Sequence, residues 1–334
     1  MQKKLIFVIG PPRSGTTMLQ RMLGSHSAIF THPEPHIITP LAHLGYFNNV
    51  DRAPFDHINA AEAIREFVAD LPGGEADYLD ACRAYTDVLY GRMLEKSGQQ
   101  MILDKTPAYA LVLPFLSRLY PRAHYVVLTR HPLAVLSSYA ESFFEGDYDS
   151  AVGFNDILGR YVPTMADFLR QGEVGFHHVR YEDLVSEPEK KLAEIFSFLG
   201  LPDEKGAVDY GKHEHTDKSY GDPKVKHHTR PTTGSLEKWA EELAADDHKL
   251  EVAKSVVARL EEKDVAAWGY DRRTLLDPVA RAGGSPPAKD LNWMLDPYRL
   301  KRRVFLALRK DIHQNQLGRL LRRVKYYCDV LLRE

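Results

Sequence analysis

The sequence predicts an α/β fold, a parallel sheet flanked by helices and followed by a helical C-terminal extension. Three observations predict it. The chain opens on a continuous apolar run closed by a glycine and proline turn and a helical pattern, and later apolar runs end in charged and hydroxyl residues before further helices. Residues 289–334 then carry twelve Lys and Arg against five Asp and Glu on a helical pattern of Leu, Val, Phe and Tyr.

Taken in order, residues 5–9 are apolar and partly β-branched up to Gly10-Pro11-Pro12, which reads as a strand buried on both faces. From Ser14 to Leu23, the residues Met18, Leu19, Met22 and Leu23 share one helical face. Strand, glycine turn and helix in that order open a parallel sheet. Residues 27–46 are rich in Pro and His without a sustained period and read as a loop, and residues 59–97 read as a helical pair around Pro72-Gly73-Gly74. A second strand, Met101-Ile102-Leu103, runs into Asp104-Lys105-Thr106-Pro107 before a helix over about 110–119. A third, His124 to Leu128, runs into Thr129-Arg130-His131-Pro132 before a helix through Leu136 and Tyr139. Phe176 to Val179 is a fourth, followed by Tyr181-Glu182-Asp183-Leu184 and a helix over about 187–199. The carboxyl edge of such a sheet is where ligands bind. Residues 210–233 read as a polar loop, helices resume near Leu236, and Gly283-Gly284-Ser285-Pro286-Pro287 marks a linker. The predicted division is a domain over 1–273, a linker over 274–288 and a basic helical extension over 289–334.

A chain of 334 residues with 44% hydrophobic and 27% charged residues and a formal charge of −2 is an ordinary globular protein, and its charge predicts no nucleic-acid partner. Cys82 and Cys328 have no spacing of a metal knuckle or redox pair, which fits a reducing compartment. The apolar run before Gly10 is too short for a secretory or membrane-spanning segment, so a cytoplasmic location is expected.

Gly10 and Gly15, separated by four residues and followed by Thr16-Thr17 at a helix start, have the spacing of a loop whose backbone N–H groups wrap a phosphate. The expected architecture is therefore a P-loop-like parallel sheet. Thr16 stands where a triphosphatase needs Lys, and the nearby cation, Arg13, lies ahead of Gly15. A guanidinium forks onto two oxygens of a phosphate or sulfonate, as a lysine cannot.

Pro12-Arg13-Ser14-Gly15-Thr16-Thr17 resembles the 5′-phosphosulfate loop of sulfotransferases that use 3′-phosphoadenosine 5′-phosphosulfate (PAPS). It is most similar to the branch of protein-tyrosine sulfotransferases and bacterial small-molecule enzymes. The resemblance implies a 3′-phosphate site made by an Arg at a strand end and a Ser eight residues later, which Arg130 and Ser138 match. It also implies a nucleotide-holding tyrosine at Tyr181 in Val179-Arg180-Tyr181-Glu182-Asp183-Leu184, a residue that reads equally as a core aromatic. In Arg230-Pro231-Thr232-Thr233-Gly234-Ser235-Leu236-Glu237-Lys238-Trp239, Gly234 and Lys238 match the loop that covers the nucleotide, although the residues before them align poorly. Together the likeness covers about 4–240.

Sulfuryl transfer needs a base for the acceptor hydroxyl and cations for the charge on the leaving phosphate. The resemblance places the base at Glu34, twenty-one residues after Arg13. His36, two residues on, is the competing base, because imidazole titrates near neutrality. Lys105 matches the branch's lysine facing the transferring group, here flanked by Asp and Thr, and would act with Arg13. This chemistry requires no metal, and His213, His215, His227 and His228 lack an acidic or cysteine partner at ligand spacing.

Two other readings stand beside this one. Met101-Ile102-Leu103-Asp104 resembles the magnesium-binding strand end of a kinase or other triphosphate enzyme, although the loop lysine is missing. A non-catalytic nucleotide-binding adaptor is the third, because Leu320, Leu321, Val324 and Leu331 could give the basic tail an apolar face for a membrane surface. Packing of that tail on the domain, or on a second copy in a homodimer, is the plainer expectation. The aromatic residues Phe47, Phe55, Phe143, Phe144, Tyr148 and Phe154 suit a small or lipid-like hydroxyl acceptor without identifying it.

Overall fold

The computed structural model describes residues 1–34, 38–42, 57–212, 229–234, 236–282, 320, 323 and 324. Five strands form one parallel sheet: β1 (Leu5–Ile9), β2 (Ile29–Pro33), β3 (Met101–Lys105), β4 (His124–Thr129) and β5 (Phe176–Arg180), in the order β2-β3-β1-β4-β5. Four of them lie where the apolar runs predict. The fifth, β2, falls inside the stretch read as a loop, and pairs with β3 from Ile29↔Met101 to Pro33↔Lys105. An edge strand tolerates a proline at its end, and its five residues show too little alternation to stand out.

The helices follow in sequence as α1 (Thr16–Gly24), α2 (Ile38–Ala42), α3 (His57–Ala69), α4 (Glu75–Ser97), α5 (Leu113–Leu119), α6 (Pro132–Phe143), α7 (Tyr148–Phe154) and α8 (Ile157–Gln171). They continue as α9 (Tyr181–Ser186), α10 (Pro188–Leu199), α11 (Lys238–Ala244), α12 (Asp247–Arg259), α13 (Glu262–Ala267) and α14 (Asp277–Ala282). A 3₁₀ helix, Pro107–Leu111, precedes α5. Helix α14 lies in the stretch assigned to the linker. Leu275 and Val279 are buried in the larger core, so the chain stays packed on the domain through Ala282. The rest of the linker, and the extension apart from the exposed Leu320, Arg323 and Val324, lies outside the described residues.

Every side chain of β1 is fully buried, because successive residues point to opposite faces and both faces are covered. Leu5, Phe7 and Ile9 enter the larger core with α4, α5, α6 and α8, while Ile6 and Val8 enter the smaller one with α1 and α10. Each such side chain contributes roughly 1.5–3 kcal/mol by leaving water. Since α1 and α6 leave neighbouring strands toward opposite faces, a crevice opens beyond the carboxyl ends of β1 and β4. That is the switch point where open parallel sheets place their ligands. Among the described residues no helix is long and apolar enough to cross a membrane, and no group of His, Cys, Asp and Glu has metal-holding geometry.

Candidate functional site

The β1–α1 loop turns on two left-handed residues, Arg13 at φ 71° and Gly15 at φ 97°. Gly10 is required by crowding: a Cβ there would lie 2.6 Å from Thr16 Cγ2 and 2.8 Å from the Leu128 carbonyl oxygen. A Cβ on Gly15 would lie 2.5 Å from Tyr181 Cδ2. Tyr181 thus closes over the loop, and the Arg130 guanidinium lies over its ring, 4.4 Å from the centroid. Ser14 is fully buried, and both its amide and its hydroxyl donate to the Pro11 carbonyl, so its side chain closes the turn. Thr16 is likewise buried. No side chain caps the N-terminus of α1, which leaves its first-turn amides and its positive dipole end at the loop.

A cavity of about 400 Å³ beside the loop brings together Arg13, Gly15, Arg130, Ser138, Tyr181 and Lys238 from five separate segments. Arg13 Nε donates to Ser138 Oγ at 3.1 Å, and Arg130 Nη1 donates to the Arg13 carbonyl at 3.0 Å. Arg230, Tyr210 and Trp239 also line it. Arg230 and Trp239 fall inside the segment matched to the covering loop, where the motif gives them no role, and Tyr210 stands at the start of the predicted polar loop, where no motif marks it. Arg230 pairs with Glu189 and lies 3.8 Å from Asp209. Four cations therefore face two carboxylates in this cavity. Of those two, Glu242 accepts from Ser137 at 2.9 Å and Glu141 pairs with Lys249 at 2.8 Å. Gly234 lies apart, lining a neighbouring cavity with His131 and Glu182 that shares Lys238 and Trp239 with the first.

The remaining predicted residues meet on the α1 side of β3. Lys105 is almost wholly buried, and its Nζ pairs with the Glu34 carboxylate and lies 3.4 Å from Thr17 Oγ1. Glu34 itself sits just past β2 at φ 29°, a backbone state that persists for a non-glycine residue only where its surroundings hold it. His36 lies outside the described residues, as do the four histidines of residues 213–228.

Asp104 does not face the loop. It is 1% exposed and accepts hydrogen bonds from Tyr90 (2.7 Å), Tyr109 (3.0 Å) and Thr106 (3.1 Å). Burial pushes its carboxyl up to about 6 against the opposing pull of those hydroxyls and the Lys105 charge. The kinase reading loses its principal support, because this carboxylate is committed to hydroxyls on the other face of the sheet. In the second cavity, His131 stacks on Trp239 at 4.3 Å and is held down to about 3 by burial and then by the Arg130 charge.

A model of the sulfotransferase family matches residues 6–205. Nodulation protein NoeE of Sinorhizobium fredii is 28% identical over 270 residues, covering 73% of this chain and 61% of that protein. Protein-tyrosine sulfotransferase 1 of Danio rerio is 25% identical over 204 residues, covering 59% of this chain and 53% of its own. The chain thus spans less than two thirds of the length of these curated relatives. Among solved structures, the sulfotransferase domain of the Synechococcus PCC 7002 olefin synthase superposes with a TM-score of 0.51 at 24% identity. That match covers 77% of this chain and 95% of that domain, which shows a shared fold. With its matched segment running from β1 through α10 and the glycine loop, Arg13 and Arg130 inside that segment, the chain belongs to the sulfotransferase family.

Proposed function

We propose that the protein transfers a sulfonate group from PAPS to a hydroxyl of a small or lipid-like metabolite. The observation that carries this is the meeting of Thr17, Glu34 and Lys105 beside an arginine-bearing phosphate loop: a carboxylate base, a buried ammonium and a helix N-terminus share one locus. The donor fits the residues present. Its cavity is of the size of small-ligand sites, roughly 300–1,000 Å³, and is lined by Arg13, Arg130, Arg230 and Lys238, cations for the donor's anionic groups. The loop amides and Arg13 would hold the 5′-phosphosulfate, and Arg130, Ser138 and Lys238 the 3′-phosphate, with Tyr181 against the nucleotide.

In this reading Glu34 takes the acceptor's proton as the acceptor oxygen bonds to sulfur. The bond from sulfur to the phosphate oxygen breaks on the opposite side. Arg13 and Lys105 meet the negative charge that gathers on the departing phosphate. His36 remains the alternative base. Phe143 and Phe154 are partly exposed, and Phe143 follows the cavity-lining Ser142 on α6, which supports an apolar acceptor.

The test is calorimetry with 3′-phosphoadenosine 5′-phosphate against ATP with magnesium, followed by transfer of labelled sulfate to a library of alcohols, phenols, sugars and tyrosine peptides. Binding of the bisphosphate and labelling of an alcohol or phenol metabolite are expected. Tight ATP binding without a bisphosphate response overturns the donor assignment, and labelling of tyrosine peptides alone overturns the acceptor class.

A further inference from the structure

On the face of β3 opposite Lys105, one proton donor chain has a fixed direction. The Ile38 amide donates to Tyr109 Oη at 3.0 Å, so the single phenolic proton of Tyr109 goes to Asp104 Oδ2. Tyr90, from α4, donates to the same oxygen, and Thr106 donates to the other. Asp104, Tyr109 and Thr106 are each 1% exposed or less, among Phe7, Tyr120 and Tyr125. Such a network costs free energy unless every member is satisfied, and here the three donors and the amide all find partners.

The anchored amide belongs to the first residue of α2, four positions after Glu34. On the other side of Glu34, β2 is held against β3 through Pro33↔Lys105. The segment bearing Glu34 is therefore clamped at both ends by β3, once through backbone pairing and once through Asp104 and Tyr109. We propose that Asp104 and Tyr109 are positioning residues of the transfer reaction, holding the Glu34 segment against Lys105 without touching donor or acceptor. This rests on the sulfotransferase reading above, since it takes Glu34 as the base or the neighbour of the base.

The donor cavity receives no side chain from this network, which gives the proposal a distinctive signature. Tyr109→Phe removes the Ile38 anchor and keeps the ring. It should lower kcat by about 10- to 100-fold through loss of alignment, while the affinity for 3′-phosphoadenosine 5′-phosphate stays within about twofold, a change smaller than one lost hydrogen bond. Asp104→Ala should behave in the same way. Asp104→Asn should recover most of the loss, because an amide oxygen can accept both tyrosine hydroxyls while its NH₂ donates to Thr106. Tyr120→Phe is the matched control. That hydroxyl bonds Thr86 and Asp87 on the same face with no link to α2, so its loss should lower the thermal midpoint and spare kcat.

Equal kcat in Tyr109→Phe and Tyr120→Phe overturns the proposal, as does a loss of nucleotide affinity in step with kcat. If Tyr109→Phe does not fold, replacing the Ile38 amide by an ester (the α-hydroxy acid of isoleucine at position 38) removes the same hydrogen bond from its other end and keeps the buried side chain, and the same split decides. Should the wild-type protein transfer no sulfonate, the reading beneath the proposal fails and the proposal falls with it. Turnover in the wild type that persists in Tyr109→Phe removes the positioning role alone.

Discussion

Arg13 Nε donates a hydrogen bond to Ser138 Oγ at 3.1 Å, joining the phosphate loop to a helix 125 positions later in the chain. With Arg130 bound to the Arg13 carbonyl, the two proposed anion subsites share a framework in which moving one moves the other. Ser138→Ala should therefore weaken binding of 3′-phosphoadenosine 5′-phosphate by about tenfold, the worth of a hydrogen bond to a charged group. Titration calorimetry reads this directly, and unchanged affinity would separate Ser138 from the 3′-phosphate.

Arg13 holds a left-handed backbone that costs a non-glycine residue about 1–2 kcal/mol. Arg13→Gly relieves that strain and removes the guanidinium. The expected result is thermal stability equal to or above wild type together with a loss of about 10²–10³ in kcat, the effect of removing one charge-stabilising donor. Full turnover in this variant would remove Arg13 from the chemistry.

Gly15→Ala introduces both a disfavoured φ of 97° and a Cβ 2.5 Å from the Tyr181 ring. We expect a lower thermal midpoint and loss of nucleotide binding, because the ring closing over the loop is displaced along with Arg130. Gly15→Ala in a Tyr181→Ala background should regain stability if the ring contact is the main cost, and a double-variant cycle of melting temperatures checks it.

Glu34→Gln should reduce kcat by about 10²–10⁴, as expected for loss of a general base, with nucleotide affinity retained. His36→Ala should leave most turnover. The reverse pattern would assign proton abstraction to His36.

Stability should fall as the pH drops below about 6.5. Burial and the Arg130 charge hold His131 down to about 3, and burial with Arg180 and His177 holds His178 down to about 4. Both stay neutral in the fold and take a proton near pH 6.5 when unfolded, so their contribution is complete above about 6.5 and is lost as pH falls toward 4. Asp104, raised to about 6, works the other way between about 6 and 3.9 and offsets one of the two protons. Melting temperatures from pH 7.5 to 4.5 should decline, and His178→Gln, which keeps an N–H donor for Thr129, should flatten the decline.

Much of the sheet was legible because buried parallel strands are written as short apolar runs closed by turn or polar residues. Leu5–Ile9 and His124–Thr129 are of this kind. Ile29–Pro33 was not, since an edge strand with one neighbour needs no apolar run and takes its identity from pairing with β3. Asp104 shows the same limit from the other side. Its position in a motif resembles that of a metal ligand, but strand alternation turns it away from the loop and toward Tyr90 and Tyr109.

By itself the sequence determined the glycine-spaced loop after β1, the arginine ahead of its second glycine and the arginine at the end of β4, because glycine spacing and strand ends are local properties of a few adjacent residues. The tertiary structure alone decided that Thr17, Glu34 and Lys105 meet, that Gly234 lies outside the cavity holding Arg13, and that Asp104 reaches Ile38 through Tyr109. Those relationships depend on strand register and on which face each helix covers, and both are settled by packing among residues far apart in the chain.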